Sequence, residues 1–441
     1  MTSTLPLDAV RGWTTDPVVR AAHRLDRSGF DPGSAPDAVV HAESVEDVVA
    51  VLAHAQATRT PVVVRGAGSG LSGGAVAGEG SIVLDLTRLN RITELSAADE
   101  LAVVEPGVIT VDLDAAAAAH GLRYAPDPAS AAISTIGGNI ATNAGGLRCA
   151  KYGVTRDSVL GLDVVLADGR RIRTGRRTVK GVAGYDLTGL FVGSEGTLGV
   201  IVGATVRLRP IPVRTATLAA WFTDFGAAAA ATAALTAARL QPAVAELLDA
   251  ACLEALGADG ADSGAFLLVQ TDGFGADAEI EAVRAVVEPF AVRVDLAADE
   301  AEAEALLATR RGALPALEKL GRVLVEDVAV PRSRLPEAVA AITEISRRSG
   351  LRIATMAHAG DGNLHPILVV DGDLDDRVWA TAGEVFQTAL DLGGTLTGEH
   401  GVGLLKRRWL RAELGDTAHD LQRELKAALD PHGLLNPGKA L

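Results

Sequence analysis

The chain has 441 residues, of which 48% are hydrophobic and 22% charged, as expected for a globular protein with room for two or three domains. Its net charge of −15 argues against nucleic acid or an anionic membrane as the main partner. No apolar run approaches the roughly 20 residues that span a bilayer, and the N-terminus lacks the pattern of a secretory signal.

The order of the predicted elements indicates an α+β protein. Residues 36–210 predict strands in the segments PVVVR, SIVLDL, LAVVEPG, LDVVLADG and GVIVGATVRL. From residue 213 the chain becomes alanine-rich, with helices predicted over 225–240 and 299–320 and strand-like segments AFLLVQTDG and VEDVAV. The last part predicts strands at 352–356 and 365–370 and helices at 376–391 and 415–429.

The first notable motif is PVVVRGAGSGLSGG, in which Gly68, Gly70 and Gly73 have the G-x-G-x-x-G spacing of a dinucleotide-binding turn. A Rossmann unit needs a crossover helix before the next parallel strand. Residues 74–80, which contain three glycines, are too few for that helix. The motif therefore predicts a phosphate-binding loop of backbone N–H groups without a Rossmann helix, and a flexible surface loop is the alternative.

Two more segments are rich in small residues, STIGGNIATNAGG at 134–146 and GYDLTGLFVGSEGTLGV at 184–200. Three such segments indicate one large cofactor wrapped by loops. Their order and spacing resemble the FAD-binding domain of the vanillyl-alcohol oxidase or PCMH-type flavoproteins. Within that superfamily the chain resembles the FAD-linked D-2-hydroxy-acid dehydrogenases, a branch that acts on D-lactate, glycolate or D-2-hydroxyglutarate, over residues 36–441.

The resemblance implies a PCMH-type FAD-binding domain of two α+β subdomains, and a substrate (cap) domain with an antiparallel sheet flanked by helices. It places an N-terminal segment at 1–35, the FAD domain at 36–212, the cap domain at 213–400, and a C-terminal segment returning to the FAD domain at 401–441. The cofactor contacts it implies are Arg65, Gly66, Ala67, Gly68, Ser69, Gly70, Gly73, Pro128, Ser134, Thr135, Gly137, Gly138, Asn139, Thr142, Asn143, Gly145, Gly199, Ile201 and Asn436. The loop 65–74 has no His or Cys, so we expect non-covalent FAD.

A second constellation lies near the C-terminus, in MAHAGDGNLH at 356–365. In a hairpin whose turn spans 360–363, His358 and His365 lie on paired strands and can face the same side. The later segment TGEHG adds Glu399 and His400. Two imidazoles and one carboxylate suit an open catalytic site for a divalent transition metal, whereas histidines satisfied within the core or a turn are the alternative.

The motifs H-x-G-D-G-N-x-H and G-E-H-G resemble those of the metal-containing hydroxy-acid dehydrogenases. This implies His358, His365 and Glu399 as ligands of Zn²⁺, with Mn²⁺ or Fe²⁺ as alternatives, and His400 as the catalytic base. It also implies that Asn363 binds substrate. In such a site the metal lowers the pKa of the substrate hydroxyl, and His400 takes its proton as hydride leaves for flavin N5.

Substrate selection is predicted from fewer residues. Arg310 aligns with the carboxylate-binding arginine of the family, although Leu307 replaces the tryptophan of the usual W-x-x-R, and a solvated charge is the alternative. The hydroxyglutarate enzymes resemble one another in a Thr and a Lys where this chain has Leu314 and Val325. Because apolar residues cannot neutralise a second buried carboxylate, we expect a monocarboxylate such as D-lactate, glycolate or a longer apolar D-2-hydroxy acid.

The electron acceptor is not identified by the sequence. Two distant cysteines give no iron–sulfur cluster, so the acceptor is a quinone, an electron-transfer flavoprotein or a partner subunit. The alternatives are a D-2-hydroxyglutarate dehydrogenase, an oxygen-using oxidase, a non-catalytic flavin-binding subunit of a redox complex and, least favoured, an ether-lipid synthase. We expect a cytoplasmic protein, peripheral to the membrane only through its acceptor, and consider a homodimer.

Overall fold

The computed structural model describes residues 10–257 and 263–441, which divide into two compact units. Unit 1 comprises the residues up to Gly145, Val154–Ile211 and Glu399–Leu441, and unit 2 comprises Gly146–Gly153 and Pro212–Gly398. The domain limits derived from the sequence remain a prediction, and residues 1–9 of its N-terminal segment lie outside the described residues.

The secondary structure is numbered in chain order. The strands are β1 (Trp13–Thr14), β2 (Ala38–His41), β3 (Val62–Arg65), β4 (Ile82–Asp85), β5 (Ile92–Ser96), β6 (Leu101–Val104), β7 (Leu122–Arg123), β8 (Val159–Val165), β9 (Arg171–Gly175), β10 (Val200–Arg207), β11 (Arg209–Pro210), β12 (Thr215–Phe222), β13 (Val244–Asp249), β14 (Ala265–Asp272), β15 (Arg293–Leu296), β16 (Arg322–Val325), β17 (Val328–Ala329), β18 (Arg352–His358) and β19 (Asn363–Val370). The α-helices are α1 (Pro17–Ala22), α2 (Val45–Thr58), α3 (Thr110–Ala118), α4 (Ile136–Thr142), α5 (Cys149–Tyr152), α6 (Thr155–Ser158), α7 (Leu187–Phe191), α8 (Phe225–Ala237), α9 (Ala250–Leu256), α10 (Ala276–Val287), α11 (Glu300–Glu318), α12 (Leu335–Ser349), α13 (Asp376–Asp391), α14 (Arg407–Leu414) and α15 (Asp416–Leu429).

Unit 1 contains two main sheets. The first has the order β1-β2-β4-β3, and its three longer strands are parallel. These strands read as short β-branched runs and are buried on both faces, as parallel strands usually are. The second sheet is antiparallel, with the order β5-β6-β10-β8-β9. The residues between Gly73 and Ser81 contain no helix, so the prediction of a glycine loop without a Rossmann helix is confirmed.

Unit 2 is built on one eight-stranded sheet whose pairs are all antiparallel, with the path β15-β12-β14-β13-β18-β19-β16 and β17 beside β19. The alanines of α8 let this helix lie close to its neighbours, and Ala228, Ala229 and Ala231 are fully buried. Helices α9 and α11 contribute Leu253 and Leu317 to a core with the sheet. The predicted α+β class, with an antiparallel sheet and helices in the second part of the chain, is confirmed.

Among the described residues, no helix combines the length and the apolar character that are needed to cross a bilayer.

Candidate functional site

The glycine loop of unit 1 presents backbone donors. Among the described residues, we find no protein acceptor for the backbone N–H groups of residues 66–74. Gly68 and Gly73 have φ angles of +69° and +82°, which glycine adopts without strain. A Cβ at Gly66 would lie 2.4 Å from Thr135 Oγ1, so glycine permits this close approach of the loop to the second small-residue segment. A run of backbone N–H groups that are free for a ligand suits a pyrophosphate.

Arg65, at the end of β3, folds back beneath this loop. Its Nη1 donates to the carbonyl of Ala75 at 3.2 Å, and a Cβ at Gly68 would collide with its guanidinium. Burial lowers the pKa of Arg65 from its ordinary value. Arg65 therefore braces the two ends of the loop, and its predicted contact with a cofactor remains a prediction.

Polar side chains of the second segment form hydrogen bonds within unit 1. The hydroxyl of Thr110 lies 3.1 Å from Ser134 Oγ and accepts from Asn139 Nδ2 at 2.7 Å. Thr135 Oγ1 accepts from the N–H of Gly138 at 3.2 Å and so caps α4. These bonds fix the start of α4, and the predicted cofactor contacts of these side chains remain predictions.

The remaining predicted cofactor contacts also lie in unit 1. A Cβ at Gly137 would meet Pro106 at 2.5 Å, and one at Gly145 would meet Glu399 Oε2 at 2.5 Å. The segment therefore passes directly beside the carboxylate of Glu399. Ala67 is exposed, Ser69 and Gly70 are half-buried, and Pro128 is buried. Thr142 Oγ1 donates to the carbonyl of Gly138, and Asn143 caps the C-terminus of α4. Gly199 directly precedes β10, which contains Ile201.

Glu195 joins three segments of unit 1 and was not singled out from the sequence. Its carboxylate accepts from the N–H groups of Val402 and Gly403 at 2.8 and 2.9 Å, and its carbonyl accepts from Asn436 Nδ2 at 2.6 Å. Asn436 Oδ1 in turn accepts from the N–H of Val64. Burial raises the pKa of Glu195. The segment GSEGTLG resembles the family at this position, but the sequence does not show that Glu195 bonds to residues more than 200 positions away.

Lys439 gives a pH prediction. Its ammonium is buried and donates to the carbonyl of Val76 at 2.6 Å, and burial lowers its pKa to about 8. In the unfolded chain a lysine titrates near pH 10.4, so the unfolded state binds more protons between these values and stability rises with pH there. We expect the free energy of unfolding to gain about 3 kcal/mol across this window relative to Lys439→Met.

The measurement is urea denaturation of both proteins at pH 7.5 and pH 10. The exposed Lys319, replaced by methionine, is the matched control and should keep the wild-type dependence. Equal pH dependence in wild type and Lys439→Met would contradict the assignment.

Glu399 and His400 begin the last segment of unit 1, and this segment lies on the glycine loop. Ser72 Oγ is 3.2 Å from the carbonyl of His400 and donates to that of Gly401 at 2.8 Å. Gly401 has a φ of +82°, so the chain bends directly after His400. The loop thus fixes the backbone of the predicted base.

Unit 2 holds His358 and His365, and the predicted hairpin is confirmed. Strands β18 and β19 pair with Met356 opposite His365 and His358 opposite Asn363. Since side chains two residues apart share a face, both histidines lie on the same side of the sheet. Their ring centroids are 5.0 Å apart with perpendicular planes. The turn comprises residues 359–362, one residue earlier than predicted.

A buried carboxylate connects this hairpin to Arg310. Glu246 on β13 lies opposite His358, and its Oε1 is 2.7 Å from His358 Nδ1. Its Oε2 accepts from Arg310 Nε at 2.7 Å. The side chains of Arg310 and Glu246 are 8% and 1% exposed, so the alternative of a solvated arginine on α11 is wrong. The Nη1 of Arg310 is directed to Met356 Sδ.

A second carboxylate lies behind the other histidine. Asp327 is fully buried, its Oδ1 is 3.7 Å from His365 Nδ1, and its Oδ2 accepts from Thr397 Oγ1 at 2.8 Å. Among the described residues, the buried Oδ1 of Asn363 has no hydrogen-bond partner. A Cβ at Gly398 would lie 2.4 Å from this oxygen, so the residue there must be small.

Glu246 and Asp327 were missed from the sequence. Each is an acidic residue inside an apolar run, VAELLD and VLVEDVAV, and such a residue is rarely buried unless it is paired. The burial of these two acids could therefore be expected from the sequence, but the residues that pair with them could not. The structure brings Arg310, His358 and His365 together within unit 2, and it brings Glu399 and His400 to the glycine loop within unit 1.

Comparisons with known proteins identify the family of this chain. The family model described as "FAD binding domain" matches residues 36–175, and "FAD linked oxidases, C-terminal domain" matches residues 211–440. Glycolate oxidase subunit GlcD of Bacillus subtilis is 45% identical over 92% of this chain and 89% of its own length. D-lactate dehydrogenase of Archaeoglobus fulgidus is 35% identical over 99% of this chain and 96% of its own length.

Solved structures share the fold at low sequence identity. p-Cresol methylhydroxylase with substrate bound has a TM-score of 0.78 at 17% identity, over 97% of this chain and 93% of its own. 4-Ethylphenol oxidase from Gulosibacter chungangensis has a TM-score of 0.79 at 20% identity, over 97% and 94%. These structures confirm the predicted PCMH-type fold.

Proposed function

This chain belongs to the FAD-linked oxidases, and we propose that it oxidises a D-2-hydroxy acid to the 2-oxo acid. The observation that carries the proposal is that His358 and His365 on the unit 2 sheet and Arg310 on α11 lie together, with the buried carboxylates of Glu246 and Asp327 beside them. A 2-hydroxy acid requires a cation for its carboxylate, and a divalent metal requires oriented imidazoles as ligands.

The residues of unit 1 fit FAD. Within the described part of the chain, the amide donors of residues 66–74 have no protein acceptors, and the surrounding glycines permit close backbone approach. We propose that this loop binds the pyrophosphate and that the segments 134–146 and 199–201 contact the rest of the cofactor. When bound, FAD supplies the acceptor for the hydride that leaves the substrate α-carbon.

The histidines of unit 2 fit a divalent metal by their surroundings. Metal-binding histidines usually donate their second ring nitrogen to a carboxylate, and His358 Nδ1 lies 2.7 Å from Glu246 while His365 Nδ1 faces Asp327. We propose Zn²⁺, with Mn²⁺ or Fe²⁺ as alternatives. The third predicted ligand, Glu399, lies in unit 1, and its place in the set rests on the sequence alone. A bound metal lowers the pKa of a coordinated hydroxyl.

The proposed steps assign one task to each residue. Arg310 binds the substrate carboxylate, since a guanidinium pairs with a carboxylate in a forked geometry. Asn363 Oδ1 is buried and has no donor among residues 10–257 and 263–441, so it is available to the substrate or to water. His400 accepts the hydroxyl proton, because an imidazole titrates near neutral pH.

The proposed substrate is a small monocarboxylate. Leu314 and Val325 are packed against the apolar core of unit 2, where nothing in their side chains can neutralise a second carboxylate. The relatives named above are a glycolate oxidase subunit and a D-lactate dehydrogenase. The word "subunit" in the first name favours a partner protein as electron acceptor, and the two cysteines of this chain do not form a cluster motif.

The test is anaerobic bleaching of the flavin by D-lactate, L-lactate, glycolate and D-2-hydroxyglutarate, before and after chelation. We expect D-lactate or glycolate to bleach the flavin, and we expect chelation to abolish bleaching until Zn²⁺ or Mn²⁺ is restored. His358→Gln should behave like the chelated enzyme, and the exposed His120→Gln is the matched control.

Two outcomes would contradict parts of the proposal. Bleaching that survives complete metal removal would exclude the metal-assisted reaction. A higher kcat/KM for 2-hydroxyglutarate than for the monocarboxylates would exclude the proposed substrate class.

A further inference from the structure

Two histidines and one carboxylate converge in unit 1, beside Arg65 at the end of β3. His41 and Asp85 are the last residues of β2 and β4, which are parallel neighbours, so both side chains lie at the carboxyl edge of the sheet. His23 caps the C-terminus of α1. Asp85 Oδ2 lies 3.2 Å from His23 Nε2 and 2.8 Å from His41 Nδ1, and the two rings are 5.2 Å apart.

The contacts of His23 leave room for a proton or a metal ion between its ring and Asp85. His23 Nδ1 lies 2.8 Å from the carbonyl of Val19, which can only accept, so this nitrogen carries a proton. In the neutral ring Nε2 is then an acceptor, and it faces a carboxylate oxygen, which is also an acceptor. A proton on His23 would satisfy this one contact. A metal ion in place of that proton would be bound by His23 and Asp85, and by His41 once its Nδ1 gives up the proton that it can donate to Asp85.

We propose that His23 Nε2, His41 Nδ1 and Asp85 Oδ2 bind a divalent transition metal, Zn²⁺ in the first instance, with solvent in the remaining position. The three atoms lie within 4.8 Å of one another, so small side-chain movements bring each to the 2.0–2.2 Å typical of zinc. The site is reachable, since the histidine side chains are 17% and 19% exposed.

The surroundings of the ligands match those of known metal sites. Ligating histidines commonly donate their other nitrogen to a backbone carbonyl, as His23 does to Val19, and ligating carboxylates are themselves hydrogen-bonded. Asp85 Oδ1 accepts from the N–H of Thr87 at 2.8 Å. Arg65 lies beside Asp85 in the sheet, and its positive charge repels a metal ion. The negative charge of Asp85 is therefore needed for a metal to bind here. The metal would fasten α1 to the sheet that carries the glycine loop.

The experiment measures metal stoichiometry and Co²⁺ absorption in full-length holoprotein that has been stripped with a chelator and retitrated. We expect His41→Gln to bind one equivalent fewer than wild type, with affinity at this site reduced at least ~100-fold. His358→Gln, which alters the other proposed metal site, should retain this equivalent, and His120→Gln should equal wild type. Zn²⁺ should raise the melting temperature of His358→Gln, and this rise should be lost in the double variant His41→Gln/His358→Gln.

His23→Asn is the second variant should His41→Gln fail to fold, with FAD content as the check on folding. Equal metal content and equal Co²⁺ spectra in wild type and both variants would overturn the proposal and leave a protonated His23 at this position. The site does not depend on the proposed oxidation, so loss of activity in His358→Gln leaves this test unaffected.

Discussion

Replacing Arg310 with methionine is expected to lower kcat/KM for the 2-hydroxy acid by about 10³-fold and to destabilise the protein by roughly 3–5 kcal/mol. The first effect follows from the proposed loss of the carboxylate partner. The second follows from the structure, because Glu246 is 1% exposed and its Oε2 would lose the 2.7 Å contact with Nε. His358 alone would then face a buried anion. Steady-state kinetics and urea denaturation measure the two effects separately.

Arg311 provides the matched control. It is the next residue on α11, is exposed, and pairs with Glu304 on the surface. Arg311→Met should therefore change neither kcat/KM nor stability measurably, since exposed ion pairs contribute little. Arg310→Lys separates the two roles, because it keeps the charge near Glu246 but loses the forked donor geometry. We expect its stability to recover in part while KM stays raised. Wild-type KM in Arg310→Met would refute the assigned role.

The local patterns predicted much of the fold, and one difference, in the segment VEDVAV, has a cause outside the segment. The β-branched runs form strands and the alanine-rich segment forms α8, as their composition predicted, because the tertiary contacts favour the same local structure. The segment VEDVAV was predicted as one strand, and the structure divides it between β16 and β17. The interruption begins at Glu326, which lies opposite Pro366, and this proline has no N–H to donate to a neighbouring strand. Pairing that depends on a distant proline is not visible in the segment itself.

In the candidate site, too, the local features were predicted from the sequence and the long-range contacts were not. His358 and His365 were placed together because a short turn joins their strands, and alternation fixes the shared face. Glu246 lies 112 residues from His358 in sequence, and Glu195 lies 241 residues from Asn436. Such contacts follow from the strand order and the return of the C-terminal segment, neither of which a single sequence specifies. The sequence therefore predicts the groups that react, whereas the structure identifies the groups that orient them.

His400→Gln is expected to lower kcat by 10²- to 10⁴-fold while FAD remains bound. The variant removes the proposed proton acceptor but keeps the backbone of residue 400, which Ser72 Oγ contacts through its carbonyl. Cofactor binding should therefore be unaffected, and flavin content is the check. Because the base must be neutral to accept a proton, wild-type kcat should fall as pH decreases through the histidine range, and the variant should lack this limb.

The control is His432→Gln, an exposed histidine in the same C-terminal segment of unit 1, which should keep both kcat and the pH limb. A kcat for His400→Gln within about twofold of wild type would show that another group accepts the proton. A lowered kcat with an unchanged pH limb would assign the limb to a different residue and reduce His400 to a positioning role. Only the joint loss of rate and limb, with flavin retained, identifies the catalytic base, since neither a folding defect nor a weaker substrate contact produces that combination.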